Sequence, residues 1–148
     1  MNTLEGHTSV PPVFPKPIDV GERPWGREIL LVLIPGVLSL KRLEINAGFK
    51  GGLQRHHKKN ECGYILSGTL MFRYDPGNGV LLERTLRKGE ALHIPPGCVH
   101  QEEALTDVVI IEASTPHFND RVRMEPAYGM QIPEGGLPST TPEEVELR

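Results

Sequence analysis

Two short segments of the chain concentrate the side-chain types that bind metal ions. Residues 54–61 contain a glutamine, two adjacent histidines and a glutamate, and residues 95–100 end in a further histidine. Together the segments supply an amide oxygen, a carboxylate oxygen and two or three imidazole nitrogens. A mixed set of oxygen and nitrogen ligands suits a divalent transition metal such as zinc, manganese, iron or nickel. The sequence therefore predicts one metal site assembled from both segments.

Strand geometry distinguishes the two adjacent histidines. Both segments read as a strand leading into a turn, and side chains at positions i and i+2 of a strand share a face. Gln54 and His56 are therefore predicted to point to one side. Arg55 and His57 are predicted to point to the other. Glu61 lies far enough beyond His56 for the chain to turn and begin a neighbouring strand.

The elements that must position these ligands are short strands, and almost no segment has helical periodicity. Runs of apolar and β-branched residues are closed by turn residues, which is typical of strands. About eight to ten such strands at even spacing favour an all-β sandwich or barrel. An eight-stranded barrel has an interior large enough for one metal ion and a small ligand. The predicted strands are residues 28–34, 37–45, 54–57, 64–66, 69–74, 80–86, 91–94, 99–102 and 108–113.

Proline content divides the chain into three parts. Residues 1–24 hold five prolines and are predicted to form an irregular N-terminal arm. Residues 25–115 are predicted to form the barrel. Residues 116–148 become polar and proline-rich again and are predicted to be a C-terminal extension.

Length and charge exclude several classes of protein. A chain of 148 residues is sufficient for one domain. A net charge of −3 without a long basic cluster argues against nucleic-acid binding. No apolar run approaches the roughly 18 residues that span a bilayer, so no membrane association is expected. The N-terminus lacks the features of a signal peptide, and a cytoplasmic protein is expected. The two cysteines do not make a disulfide framework.

The spacing of glycine, proline and histidine resembles the two signatures of the cupin superfamily. The second signature is matched in order by Gly89, Pro95, Gly97 and His100. The first signature is matched in order by Gly48, Gln54, His56, Glu61 and Gly68, with a glutamine where the family usually has its first histidine.

This resemblance implies a fold, a ligand set and an assembly. The fold is the cupin double-stranded β-helix, a jelly-roll barrel flanked here by the two irregular arms. Carried over position by position, the metal ligands are Gln54, His56, Glu61 and His100. Cupins commonly pair through their sheets, so a homodimer is expected.

Within the cupins, the sequence resembles the mannose-6-phosphate isomerase domain that is often fused behind a mannose-1-phosphate guanylyltransferase. The similarity extends over roughly residues 23–129, and a protein without the nucleotide-transfer domain is expected. The matching segments include residues 23–26, 41–42, 53–57, 67–69, 94–97, 111–112 and 120–129. The sequence departs from the family pattern at Lys58, Lys59, Cys62, Gly63, Arg121 and Pro126. These departures leave the ligands in place but change part of the surrounding pocket.

The resemblance implies an aldose–ketose isomerase acting on a sugar or a sugar phosphate. Such a reaction needs a Lewis acid, a base that moves a proton between adjacent carbons, and cations that hold an anionic group. The metal would be the Lewis acid. The candidate bases are His93, Glu112 and a metal-bound hydroxide. The candidate substrate-binding cations are Lys41, Lys59 and Arg123, with Arg121 as a further possibility. Both arginines could instead pair with Asp120 and Glu125 on the surface.

Two other functions remain open from the sequence. The same fold supports an iron-dependent dioxygenase, because four protein ligands leave two positions of an octahedron for oxygen. It also supports a non-catalytic cupin that binds or senses a small carbohydrate. The isomerase resemblance favours a small-molecule substrate of the sugar type.

Overall fold

The computed structural model describes residue 6, residues 8–117 and residues 120–131. Over these residues the chain forms two antiparallel sheets and one short 3₁₀ helix, Glu125–Tyr128. The first sheet has the order β1-β2-β3-β10-β5-β8. Its strands are β1 (Ile18–Arg23), β2 (Gly26–Ile34), β3 (Leu38–Ile45), β5 (Glu61–Ser67), β8 (Ala91–Ile94) and β10 (Val108–Ser114).

The second sheet has the order β11-β4-β9-β6-β7. Its strands are β4 (Gln54–His56), β6 (Thr69–Tyr74), β7 (Leu82–Arg87), β9 (His100–Ala104) and β11 (Arg121–Arg123). Alternate residues of β6 and β10 are buried, as expected of strands with one face towards a core. The predicted all-β jelly-roll barrel is confirmed. The main core cluster comprises Trp25, Ile45, Ile65, Leu70, Phe72, Leu86, Ile94, Ala104, Val108 and Ile110.

Each strand predicted from the sequence overlaps a strand of the structure, and two further strands lie in the flanking parts. The last residues of the predicted N-terminal arm form β1, which pairs with β2 and buries Val20 against Leu30. The prolines do not prevent this, because Pro17 immediately precedes the strand and Pro24 follows it. In the predicted C-terminal extension, β11 adds to the edge of the second sheet beside β4.

One glycine of the first signature occupies a position that has no space for a side chain. Gly68 lies in the turn between β5 and β6 with φ of +86°, a conformation that side chains rarely adopt. A Cβ atom at this position would lie 2.0 Å from the carbonyl oxygen of Asp107. The close approach holds the turn against the loop that leads into β10.

None of the helical structure found among the described residues is long and apolar enough to cross a membrane. The terminal residues 1–5 and 132–148, which the sequence assigned to the two arms, lie outside the described residues.

Candidate metal centre

A cavity of about 140 Å³ lies between the two sheets. Side chains from both sheets line it, so its shape depends on the barrel as a whole. The polar side chains that line it are Glu28, Lys41, Gln54, His56, Lys59, Glu61, His100, Glu102, Glu112 and Arg121.

Three buried side chains converge within the cavity wall. His56, Glu61 and His100 place one donor atom each within 4.8 Å of one another. They come from the end of β4, the start of β5 and the start of β9. Residues distant in sequence therefore meet because β4 and β9 are neighbours and β5 faces them across the barrel.

Gln54 is the fourth residue predicted as a ligand, and it lines the same cavity. It pairs with His100 across β4 and β9, two residues along the strand from His56. Its Oε1 atom is buried and has no hydrogen-bond partner in the part of the chain that the structure describes. Because a buried polar atom without a partner is costly, this oxygen is suited to bind a metal ion.

Both imidazoles are held through their Nδ1 atoms. His100 Nδ1 donates to the carbonyl oxygen of Cys98 at 2.9 Å, since a carbonyl can only accept. His56 Nδ1 lies 3.2 Å from Asp120 Oδ1. Burial opposes ionisation of Asp120, but hydrogen bonds from the amides of Lys58 and Lys59 hold its pKa below the usual value. The ionised carboxylate accepts, so His56 Nδ1 also donates.

These hydrogen bonds leave both Nε2 atoms as electron-pair donors aimed at one carboxylate oxygen. Glu61 Oε1 lies 3.4 Å from His56 Nε2 and 3.7 Å from His100 Nε2. Burial lowers the pKa of His100, which favours the neutral imidazole that binds metals. Burial disfavours the Glu61 carboxylate, yet the adjacent His56 imidazole and the charge of Lys59 hold its pKa well below the usual range. Three converging donors of this kind fit a divalent transition metal.

Asp120 is a site residue that sequence reasoning did not identify. It lies just before β11, and its Oδ2 atom accepts the backbone N–H groups of Lys58 at 2.6 Å and Lys59 at 2.7 Å. One carboxylate therefore orients His56 and fixes the loop between β4 and β5. The available signal was its position at the start of the family-like segment 120–129.

Replacing Asp120 with asparagine should weaken metal binding by about 10- to 100-fold, because the His56 imidazole loses the carboxylate that orients it. Titration with a competing zinc chelator measures this change. Asp107→Asn is the matched control, since Asp107 also accepts a loop N–H, from Ala47 at 2.8 Å, away from the site. Equal zinc affinity in the Asp120→Asn and Asp107→Asn proteins would contradict the assigned role.

Lys59 and Lys41 both line the cavity, where the sequence predicted substrate-binding cations. Lys59 Nζ lies 3.1 Å from Glu61 and 3.9 Å from Glu112. Burial alone would lower the pKa of Lys59, but the two carboxylates outweigh it and raise the pKa. Lys41 Nζ lies 2.8 Å from Glu28, and both side chains are almost fully buried.

Two carboxyl groups in the cavity have strongly raised pKa values. Burial, with the nearby charge of Glu61, raises the pKa of Glu112 to about 7. Burial, with the charges of Glu112 and Glu61, raises the pKa of Glu102 to about 8. Both groups face the cavity, so each is positioned to exchange a proton with a bound molecule. Glu112 was a candidate base from the sequence, whereas Glu102 was not identified.

The other predicted residues are distributed differently. Arg121 lines the cavity, whereas Arg123 is not among the residues that line it and bonds Glu125 at 2.6 Å. His93 is exposed on β8 and lies 2.7 Å from Asn60 Oδ1, outside the cavity lining. His57 is exposed and lies in the bend that follows β4, whereas the sequence placed it within the strand.

Comparisons with known proteins give a family match over part of the chain. The Cupin domain family model matches residues 41–111, just under half of the chain. No curated protein matches the chain at a significant level.

Solved structures with the same fold are distant in sequence. The capsular polysaccharide assembling protein CapF from Staphylococcus aureus is 23% identical with a TM-score of 0.63, over 80% of this chain and 33% of CapF. KdgF from a Halomonas species is 21% identical with a TM-score of 0.57, over 66% of this chain and 86% of KdgF. An RmlC-like cupin from Shewanella frigidimarina is 18% identical with a TM-score of 0.54, over 64% and 78% of the two chains. This chain matches only about a third of CapF, and likenesses at these identities establish the fold alone.

Proposed function

We propose that this cupin domain is a metal-dependent isomerase that interconverts the aldose and ketose forms of a small sugar or sugar derivative. The observation that carries the proposal is the position of Glu112. Its carboxyl group shares one cavity with the candidate metal ligands, and the ammonium of Lys59 lies between Glu112 and Glu61. A proton-transfer group with a pKa of about 7 is thus beside a Lewis-acid site.

The metal ligands and the base would have separate roles in the reaction. Gln54, His56, Glu61 and His100 would hold the metal ion, which would supply a Lewis acid that polarises the carbonyl and its neighbouring hydroxyl. Glu112 takes a proton from the carbon that bears the hydroxyl and returns it to the adjacent carbonyl carbon, while the hydroxyl proton passes to the former carbonyl oxygen. The two hydrogens change places within the substrate, and no atom is gained or lost.

The cationic side chains would bind the negative charge of the substrate. Lys59 and Arg121 lie beside the ligand cluster, Lys59 through its contact with Glu61 and Arg121 by pairing with His56 across β11 and β4. An arginine can grip a carboxylate or a phosphate in a bidentate manner, whereas a lysine acts as a point charge. The name of CapF, a capsular polysaccharide assembling protein, is compatible with a sugar substrate.

Hydrogen exchange in heavy water tests the proposal directly. Protein reconstituted in turn with zinc, manganese, ferrous iron or nickel is incubated with a panel of small aldoses, sugar phosphates and hydroxy aldehydes, and NMR follows each carbon. We expect interconversion with deuterium incorporated next to the carbonyl, dependent on added metal and abolished by a chelator. Oxygen consumption by the ferrous protein without isomerisation would favour a dioxygenase. Ligand binding without any turnover would favour a sensing or binding role.

A further inference from the structure

The cavity changes from polar to apolar along β9. His100, Glu102 and Ala104 occupy alternate positions of this strand, and all three line the cavity. A strand rises about 3.3 Å per residue, so Ala104 lies about 13 Å along the strand from the candidate metal ligand His100. Leu70, the cross-strand neighbour of Ala104 on β6, also lines this far end.

The opposite wall changes in the same direction. On β3, Lys41 is followed at alternate positions by Leu43 and Ile45, and all three line the cavity. Lys41 is paired across the sheet with Glu112, which Lys59 links to the candidate metal ligands. The cavity therefore has a polar end at the metal ligands and an apolar end. The apolar end lies about four residues further along β3 and β9.

Aromatic side chains complete the apolar end. Trp25 and Phe49 line it with their ring centroids 6.5 Å apart. Among the described residues, the cations that line the cavity are Lys41, Lys59 and Arg121. All three belong to the polar end, because Arg121 pairs with His56 and the two lysines adjoin Glu112.

We infer that the cavity takes a small hydroxy or oxo acid whose carboxylate lies next to the reacting carbons and whose tail is uncharged. This inference rests on the proposed function, since it places the reacting oxygens at His56, Glu61 and His100. Arg121 and Lys59 bind the carboxylate beside these ligands. Glu102 lies along the tail and hydrogen bonds to a hydroxyl group there.

A phosphate on the tail does not suit this arrangement. It would lie beside the carboxyl group of Glu102, which forms no ion pair with the described residues, or against Trp25 and Ala104. Burying a charge without a partner is strongly unfavourable.

Isothermal titration calorimetry of the zinc-loaded full chain with four matched compounds tests this inference. Glycerate and lactate carry the carboxylate and an uncharged tail, 3-phosphoglycerate adds a phosphate to that tail, and glycerol lacks the carboxylate. We expect glycerate and lactate to bind at least about tenfold more tightly than 3-phosphoglycerate and glycerol. Binding of 3-phosphoglycerate as tight as that of glycerate would overturn the inference, and so would failure of all four to bind.

A pair of variants tests the position of the carboxylate. Arg121→Met should weaken glycerate binding at least about tenfold while leaving the zinc content unchanged. Arg84→Met, at an exposed position on β7, is the control and should bind as the unmodified protein does. Unchanged glycerate affinity in Arg121→Met would overturn the assignment. Because binding is measured without turnover, a lack of isomerase activity would leave a positive result intact. If the protein isomerises a sugar but binds 3-phosphoglycerate more tightly than glycerate, only this inference would be overturned.

Discussion

Replacing His56 with alanine should leave the purified protein without bound metal. The substitution removes one of three converging donors and leaves Glu61 Oε1 and His100 Nε2 without the third. Loss of an orienting group behind a ligand already costs about 10- to 100-fold in affinity, so loss of the ligand itself should cost more than about 100-fold. Elemental analysis after reconstitution and gel filtration measures the metal-to-protein ratio, which we expect to fall from near one to near zero.

The neighbouring histidine provides a matched control for this experiment. His57→Ala removes the same side chain from the adjacent position, where it is exposed and outside the cavity lining. We expect His57→Ala to retain its metal. Full metal occupancy in His56→Ala, or equal losses in both variants, would show that the ligand assignment is wrong.

The faces of the side chains along β4 could be predicted from local strand geometry alone. The sequence predicted that Gln54 and His56 share a face and that His57 points away, because strand side chains alternate. Gln54 and His56 line the cavity, while His57 is exposed just beyond the end of β4. The same reasoning applied to β9 would have placed Glu102 on the face of His100. The position of Glu102 in the site could therefore have been predicted from the sequence.

Other features depend on contacts between distant parts of the chain. The bond between Asp120 and His56 joins residues 64 positions apart, and it forms because β11 adds to the sheet edge beside β4. A three-residue strand carries too little periodicity to be recognised locally. Arg121 and Arg123 illustrate the same limit. They share a strand face by parity, yet only Arg121 lines the cavity and Arg123 pairs with Glu125.

Replacing Glu112 with glutamine should lower the isomerisation rate by about 10²- to 10⁴-fold, the usual contribution of a positioned general base. Glutamine keeps the size of the side chain but cannot accept the proton. We expect metal content to stay near that of the unmodified protein, because Glu112 is not one of the converging ligands. Glu83→Gln, which alters an exposed carboxylate on β7, should keep full activity. If the Glu112→Gln protein isomerised the substrate as fast as the Glu83→Gln protein, Glu112 would be excluded as the base.

The pH profile distinguishes a base at Glu112 from a purely structural role. Burial raises the pKa of Glu112 to about 7 because the charged form is poorly solvated there. A base acts only when ionised, so kcat/KM should rise with pH as the carboxyl loses its proton and should fall on acidification. A divalent ion at the neighbouring ligands favours the carboxylate, so the acidic limb of the metal-loaded enzyme should lie below pH 7. NMR titration of Glu112 with and without zinc should show the same downward displacement. A profile whose acidic limb persists unchanged in Glu112→Gln would assign the proton transfer to another group.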